Sequence, residues 1–180
     1  VVSIGAAAGA DLVLIETMSD SYELKAAVLA AKEAGINPET GARLPIFANV
    51  IYDEKGKLLT GGNVESTVAL LEGLGVDVLG VNCGLGPEQM KGIVKDILEV
   101  SSTPILVNPN AGLPRSENGK TVFDVDPAEF AEDMKIFAKE GAWLMGGCCG
   151  TTPAHIRALV EACKEAMPKP LTDKNLTLVS

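Results

Sequence analysis

Two cysteines stand side by side in MGGCCGTTPAHI, residues 145–156, and a third, Cys83, closes the run VDVLGVNC. Adjacent Cα atoms lie roughly 3.8 Å apart, whereas disulfides want roughly 4.4–6.8 Å. Cys148 and Cys149 are therefore poorly placed to bond to each other. Either they are incidental, as small apolar residues often are, or something outside the pair holds both sulfurs. Cys83 follows one apolar run and the pair follows another, AWLM. Three sulfurs just past the ends of two strands make a candidate metal site. Zinc takes thiolates tetrahedrally, and three protein ligands leave one position open for chemistry. The 65 positions from Cys83 to Cys148 match no local finger or ribbon. Gly146 and Gly147 let the backbone turn tightly, and a helix starting near Pro153 points its N-terminus at the loop, which favours anionic sulfur. Three thiolates load a zinc ion with negative charge and make it a weak activator of water. It suits instead the binding of an incoming thiol, so the substrate is expected to be a thiol attacking an electrophilic carbon. Cys163, mid-helix in RALVEACKEAM, reads as structural.

The elements that must position these groups alternate. Strands are expected at about 11–17, 45–52, 76–82, 104–108 and 142–145, with helices at about 21–35, 64–73, 87–100, 127–140 and 153–166. Pro87, Pro127 and Pro153 suit the first helical turn, where no N–H is needed. Gly35, Gly73 and Gly141 suit helix ends. Five strand–helix units in a row predict parallel strands. Either an open doubly wound sheet or part of an eight-unit barrel fits. In both, chemistry sits at the strand C-ends, where the sulfurs are. A barrel of such strands needs about eight to close. The opening VVSIGAAAGADL reads as the tail of a helix, which favours a barrel whose first three units are missing and a chain that is a piece of something longer. Residues 168–180, with two prolines and no apolar period, read as an exit segment.

The chain has 180 residues, 47% of them hydrophobic, enough for one domain with a core. Its net charge is −9, from 15 basic and 24 acidic residues, which argues against nucleic acid or an anionic membrane as partner. No apolar stretch is long enough to span a bilayer, and no secretory leader is visible. Four cysteines without a secretory signal read as reduced thiols in a cytoplasmic protein. The sequon Asn175-Leu-Thr177 then carries no weight.

The segments LIETMSD, FANVIYDEKGKLLTG, GVNCGLGPEQM, ILVNPNAGLP and MGGCCGTTPAHI together resemble the homocysteine S-methyltransferase family, in the form of the homocysteine-binding domain of bacterial cobalamin-dependent methionine synthases. The resemblance runs from about residue 11 to 166. It implies a (β/α)8 TIM barrel, of which residues 1–167 are the C-terminal five βα units. It implies Cys83, Cys148 and Cys149 as zinc ligands, with homocysteine sulfur in the fourth place. Glu16 would hold the homocysteine amino group, Asn110 would lie near the metal, and Asn82, Gly146 and Gly147 would line the same mouth. The implied reaction is zinc-dependent methyl transfer to homocysteine thiolate, giving methionine. Methylcobalamin is the expected donor, carried with the methyltetrahydrofolate site on other domains or proteins; S-methylmethionine and betaine are alternatives.

The family's N-terminal strands, with an acidic residue that contacts homocysteine, have no counterpart here. Five strands alone leave parallel edges open to self-association, and such a piece is expected to bind zinc weakly or not at all and to turn over little. Two rival readings stand beside this one. A phosphate-binding barrel enzyme would use Gly146 and Gly147 as an anion nest, but leaves the cysteines unexplained. A non-catalytic fragment would serve as an interaction module. His155 reads as a helix surface residue, and Asp53 and Glu54 as solvated loop carboxylates around a turn at Lys55-Gly56.

Overall fold

The computed structural model describes residues 1–174; the sequon and the end of the expected exit segment lie outside them. After a short helix α1 (Val2–Ala7), strands and helices alternate as β1 (Val13–Met18), α2 (Ser21–Ala34), β2 (Ile46–Val50), α3 (Val64–Gly73), β3 (Val78–Asn82), α4 (Pro87–Val100) and β4 (Ile105–Asn108). A small hairpin, β5 (Arg115–Glu117) and β6 (Lys120–Val122), precedes α5 (Pro127–Glu140), β7 (Leu144–Met145) and α6 (Pro153–Cys163).

The helices start where their sequence provides for the first turn. Asp20 and Asp126 each accept two backbone N–H groups. Asn63 and Ser66 cap α3 reciprocally. Pro87, Pro127 and Pro153 stand in first turns, as expected. The last helix is shorter than its apolar period suggested, ending at Cys163 rather than near 166. The strand before the cysteine pair spans only two residues. The hairpin was not anticipated: its strands have three residues each and are mostly exposed, so no alternation of apolar side chains announces them.

β1, β2, β3, β4 and β7 form one sheet in that order, every pair parallel. The protein is thus an α/β fold on a parallel sheet. The order never reverses, so the sheet has no switch point of the doubly wound kind. Alternate strand residues face the helices. Ile46, Ala48, Leu79, Val81, Ile105 and Val107 pack with Leu24 and Val28 of α2, Val68 of α3, Met90 and Val94 of α4 and Phe130 of α5 into one cluster. The other face carries Phe47, Asn49, Gly80, Asn82, Leu106 and Asn108, brought level by the register Phe47↔Val78, Asn49↔Gly80, Gly80↔Leu106 and Asn82↔Asn108. Three asparagines on one face of a parallel sheet depart from the usual apolar run, and that face leads to the cysteines. Among the described residues no helix is long and apolar enough to cross a membrane.

Candidate metal centre

Cys83 is the first residue past β3. Its N–H still accepts the sheet's geometry, donating to Asn108 O at 3.1 Å. Then the chain turns: Cys83 has φ +61°, Gly84 follows at +75°, and Leu85 N–H donates back to Cys83 O at 2.8 Å. The second loop leaves β7 alongside. Gly146 N–H donates to Val107 O, Cys148 N–H to Pro109 O, Ala111 N–H to Cys149 O, and the Thr151 hydroxyl to Cys148 O. The two loops are laced together through the segment after β4, and the lacing brings the sulfurs to one place.

Cys83 Sγ lies 3.8 Å from Cys149 Sγ, Cys148 Sγ lies 4.0 Å from Cys149 Sγ, and all three lie within 4.8 Å of one another. None is in a disulfide. A tetrahedral zinc with bonds of about 2.3 Å sets its sulfurs roughly 3.8 Å apart, so the trio fits such an ion. Cys149 is exposed and the other two are half-buried, which leaves one side of the trio open. Cys148 and Cys149 both resist ionising. Burial, then the hydrogen bond and charge of Cys83, push the Cys148 thiol up to about 11. Cys149 is raised by its hydrogen bond to Cys83 first and by burial second. A dication reverses that preference, because its charge favours thiolate.

Asn110 and Asn82 buttress the trio. Asn110, 3% exposed, accepts the backbone N–H of Cys149 on Oδ1 at 3.0 Å. Fully buried Asn82 approaches Cys148 Sγ through Nδ2 at 3.9 Å. Its stronger contacts are with Thr17 across the sheet: Thr17 N–H donates to Asn82 Oδ1 at 2.8 Å, and Asn82 Nδ2 donates to the Thr17 hydroxyl at 2.7 Å. Gly146 and Gly147 act by closeness, and neither occupies the left-handed region. A Cβ on Gly146 would stand 2.7 Å from Asn108 Oδ1, and one on Gly147 would stand 2.4 Å from the Thr151 side chain.

Glu16 is exposed at the end of β1, one residue before Thr17; no hydrogen bond links it to the thiols among the described residues. His155 departs from its expected place on the helix surface. It is 7% exposed, accepts on Nδ1 from Thr152 N–H at 3.2 Å, and donates from Nε2 to Val125 O at 3.0 Å, with its ring edge-on to Phe130. It caps α6 and pins the segment after the hairpin. Cys163 packs against the core, and Asp53 and Glu54 are exposed around a turn at Gly56, all as expected.

Three residues had not been singled out as site residues. Thr17 carries a hydroxyl at positive φ. Asn49 is fully buried with neither amide atom partnered among the described residues, and Asn108 Oδ1 is likewise unpartnered. Asn49 had a visible signal, an amide inside the apolar strand PIFANVI.

The model of the homocysteine S-methyltransferase family matches residues 2–163. Proteins named methionine synthase from Mycobacterium leprae and Mycobacterium tuberculosis are each 40% identical over 155 residues, 86% of this chain. The chain spans 13% of the length of each. Solved structures of the homocysteine methyltransferase MmuM from Escherichia coli share the fold. The apo form has a TM-score of 0.69 at 27% identity, over 87% of this chain and 51% of that one. The metallated form has a TM-score of 0.65 at 28% identity, over 86% and 46%.

Proposed function

We propose a function from one fact: the chain belongs to the homocysteine S-methyltransferase family. Cys83, Cys148 and Cys149 hold a zinc ion, and the reaction is methyl transfer to the sulfur of homocysteine, giving methionine. The observation that carries this reading is the spacing of the three sulfurs, within 4.8 Å of one another on loops far apart in sequence. Bound zinc would lower the pKa of an incoming thiol and keep it as a thiolate.

The protein's own groups do the rest. Asn110 fixes the Cys149 backbone, and Asn82 fixes Cys148. Glu16 receives the substrate's amino group, while Gly146 and Gly147 keep the mouth free of side chains. The substrate thiol loses its proton to solvent; its S–CH3 bond forms as the methyl–donor bond breaks. The methionine synthase relatives support methylcobalamin as donor, carried with a methyltetrahydrofolate site on domains outside this chain. The phosphate-nest reading is disfavoured because most of the loop's amides, that of Gly146 included, are engaged. Gly146, Cys148, Cys149 and Thr151 N–H all donate within the protein.

We read residues 1–167 as five units of a (β/α)8 barrel, with 168–180 as an exit segment. The unreversed strand order supports this, as does the MmuM likeness. The remaining strands would then complete the sheet at β1 and β7, or a second copy would cover those edges. The test is zinc content in protein purified without chelator, for the wild type and for Cys83→Ser. Because the three sulfurs already lie together, about one zinc per chain, lost in the variant, is expected in place of the weak binding that the missing strands suggested. A wild type that carries none, with all thiols free to titrate, would overturn the zinc site.

A further inference from the structure

We infer that Thr17 is a positioning residue, and that its bridge to Asn82 sets the distance between the carboxylate of Glu16 and the thiol site. The inference rests on the function proposed above and adds to it the residue that makes the site select an amino acid over a plain thiol.

The first observation is a register break. Ile15 pairs with Ala48 and Met18 with Val50. Asn49 alone therefore stands opposite two residues, Glu16 and Thr17. That is a β-bulge, a device that re-aims side chains beside active sites. Without it, simple alternation would put Met18 on the face that carries Leu14. With it, Met18 packs against the helix-side core.

The second observation is the backbone at the bulge. Thr17 has φ +61°, a region that β-branched residues avoid and that persists only when surroundings hold it. What holds it is Asn82. The Thr17 N–H and hydroxyl meet both halves of one amide, at 2.8 and 2.7 Å. These bonds skip a strand: Thr17 is on β1, Asn82 on β3, with β2 between them.

The third observation is where the bridge leads. The same Asn82 Nδ2 lies 3.9 Å from Cys148 Sγ. An amide nitrogen has two protons, so one can serve the Thr17 hydroxyl and the other the sulfur. Glu16, covalently adjacent to Thr17, is thereby tied to Cys148 through a single side chain. An α-amino thiol needs a fixed distance between its sulfur and its ammonium, and this bridge fixes the protein's half of it.

The test compares homocysteine with 4-mercaptobutyrate, which lacks only the amino group, in binding calorimetry on the zinc-loaded full chain. The variants are Thr17→Val, which keeps shape and loses the hydroxyl, and Thr17→Ser, which keeps the hydroxyl. Thr17→Gly relieves the φ and guards against a folding defect. Zinc affinity is followed in parallel by chelator competition. Thr17→Val and Thr17→Gly should bind homocysteine about tenfold more weakly, the worth of one lost hydrogen bond. Their affinity for 4-mercaptobutyrate and for zinc should stay at the wild-type level, and Thr17→Ser should keep the wild-type preference. Equal losses for both thiols, or no loss for either, would overturn the positioning role and leave the proposed function standing. A wild type that binds neither thiol would overturn the proposed function itself.

Discussion

Cys83 Sγ lies 3.8 Å from Cys149 Sγ across 66 positions of sequence, and the contact depends on a third segment. Cys83 N–H is held by Asn108 O, Cys149 N–H by Asn110 Oδ1, and the Cys149 carbonyl by Ala111 N–H. The loop after β4 is therefore the clamp that sets the sulfur–sulfur distance. A site built this way fails as a unit when one ligand goes. Cys149→Ser should weaken zinc binding by more than about a hundredfold, since even outer partners of a site are worth about 10–100-fold. Cys163→Ser should leave stoichiometry and affinity unchanged, because that thiol packs against the core. Chelator competition on the two variants checks both; equal affinities would remove the metal centre from Cys149.

Asn110→Ala tests the clamp itself. The substitution leaves the part-buried Cys149 N–H without its acceptor. An unsatisfied buried donor costs about 1–3 kcal/mol, and zinc affinity should fall by about 10–100-fold with all three thiols intact. Thermal unfolding in excess chelator separates the stability loss from the loss of affinity.

Much of this was legible in the residue order. The βα alternation, the prolines at helix starts and the sulfurs at strand ends follow from local periodicity and local chemistry, which a single chain displays. Cys148 and Cys149 stood out because neighbours cannot easily pair with each other. Thr17 did not stand out, because its role depends on a register break against β2 and on a partner two strands away. Nothing in LIETMSD announces a positive φ at a β-branched residue. His155 was misplaced for a related reason: the carbonyl that buries it belongs to Val125, in a segment shaped by a hairpin too short and too exposed to leave a pattern.

Asp77 supplies a pH test away from the site. Its carboxylate accepts both guanidinium nitrogens of Arg43, at 2.8 and 3.0 Å, and the N–H of Ile46 at 2.7 Å. The Arg43 hydrogen bond, chiefly, holds its pKa below the ordinary 3.8. A depressed folded-state pKa contributes stability above the unfolded value and loses it as pH falls through the folded one. Both side chains are about a third exposed, so solvent screening limits the pair to about 1 kcal/mol or less. Asp77→Asn should therefore be less stable than the wild type at neutral pH. The gap should close as pH drops below 3.8, in urea melts at matched salt. A gap that is constant with pH would mean that the carboxylate's charge contributes nothing.

Two glycine substitutions separate close approach from helix propensity. A Cβ on Gly80 would stand 1.9 Å from the Leu106 carbonyl oxygen and 2.8 Å from Asn49 Oδ1. Backbone of a central strand cannot yield that much, so Gly80→Ala should cost about 3 kcal/mol or more. It should also displace Asn49, the buried amide beside the bulge, and so weaken the thiol site that the bulge adjoins. Gly92, inside α4, has nothing within 4 Å of the corresponding point and no positive φ. Gly92→Ala should stabilise by about 0.5–1 kcal/mol, through helix propensity and a less flexible unfolded chain. Denaturant midpoints of the two variants should move in opposite directions. If Gly80→Ala were tolerated, the strand spacing between β3 and β4 that levels Asn82 with Asn108 would have to be looser than the sheet register requires.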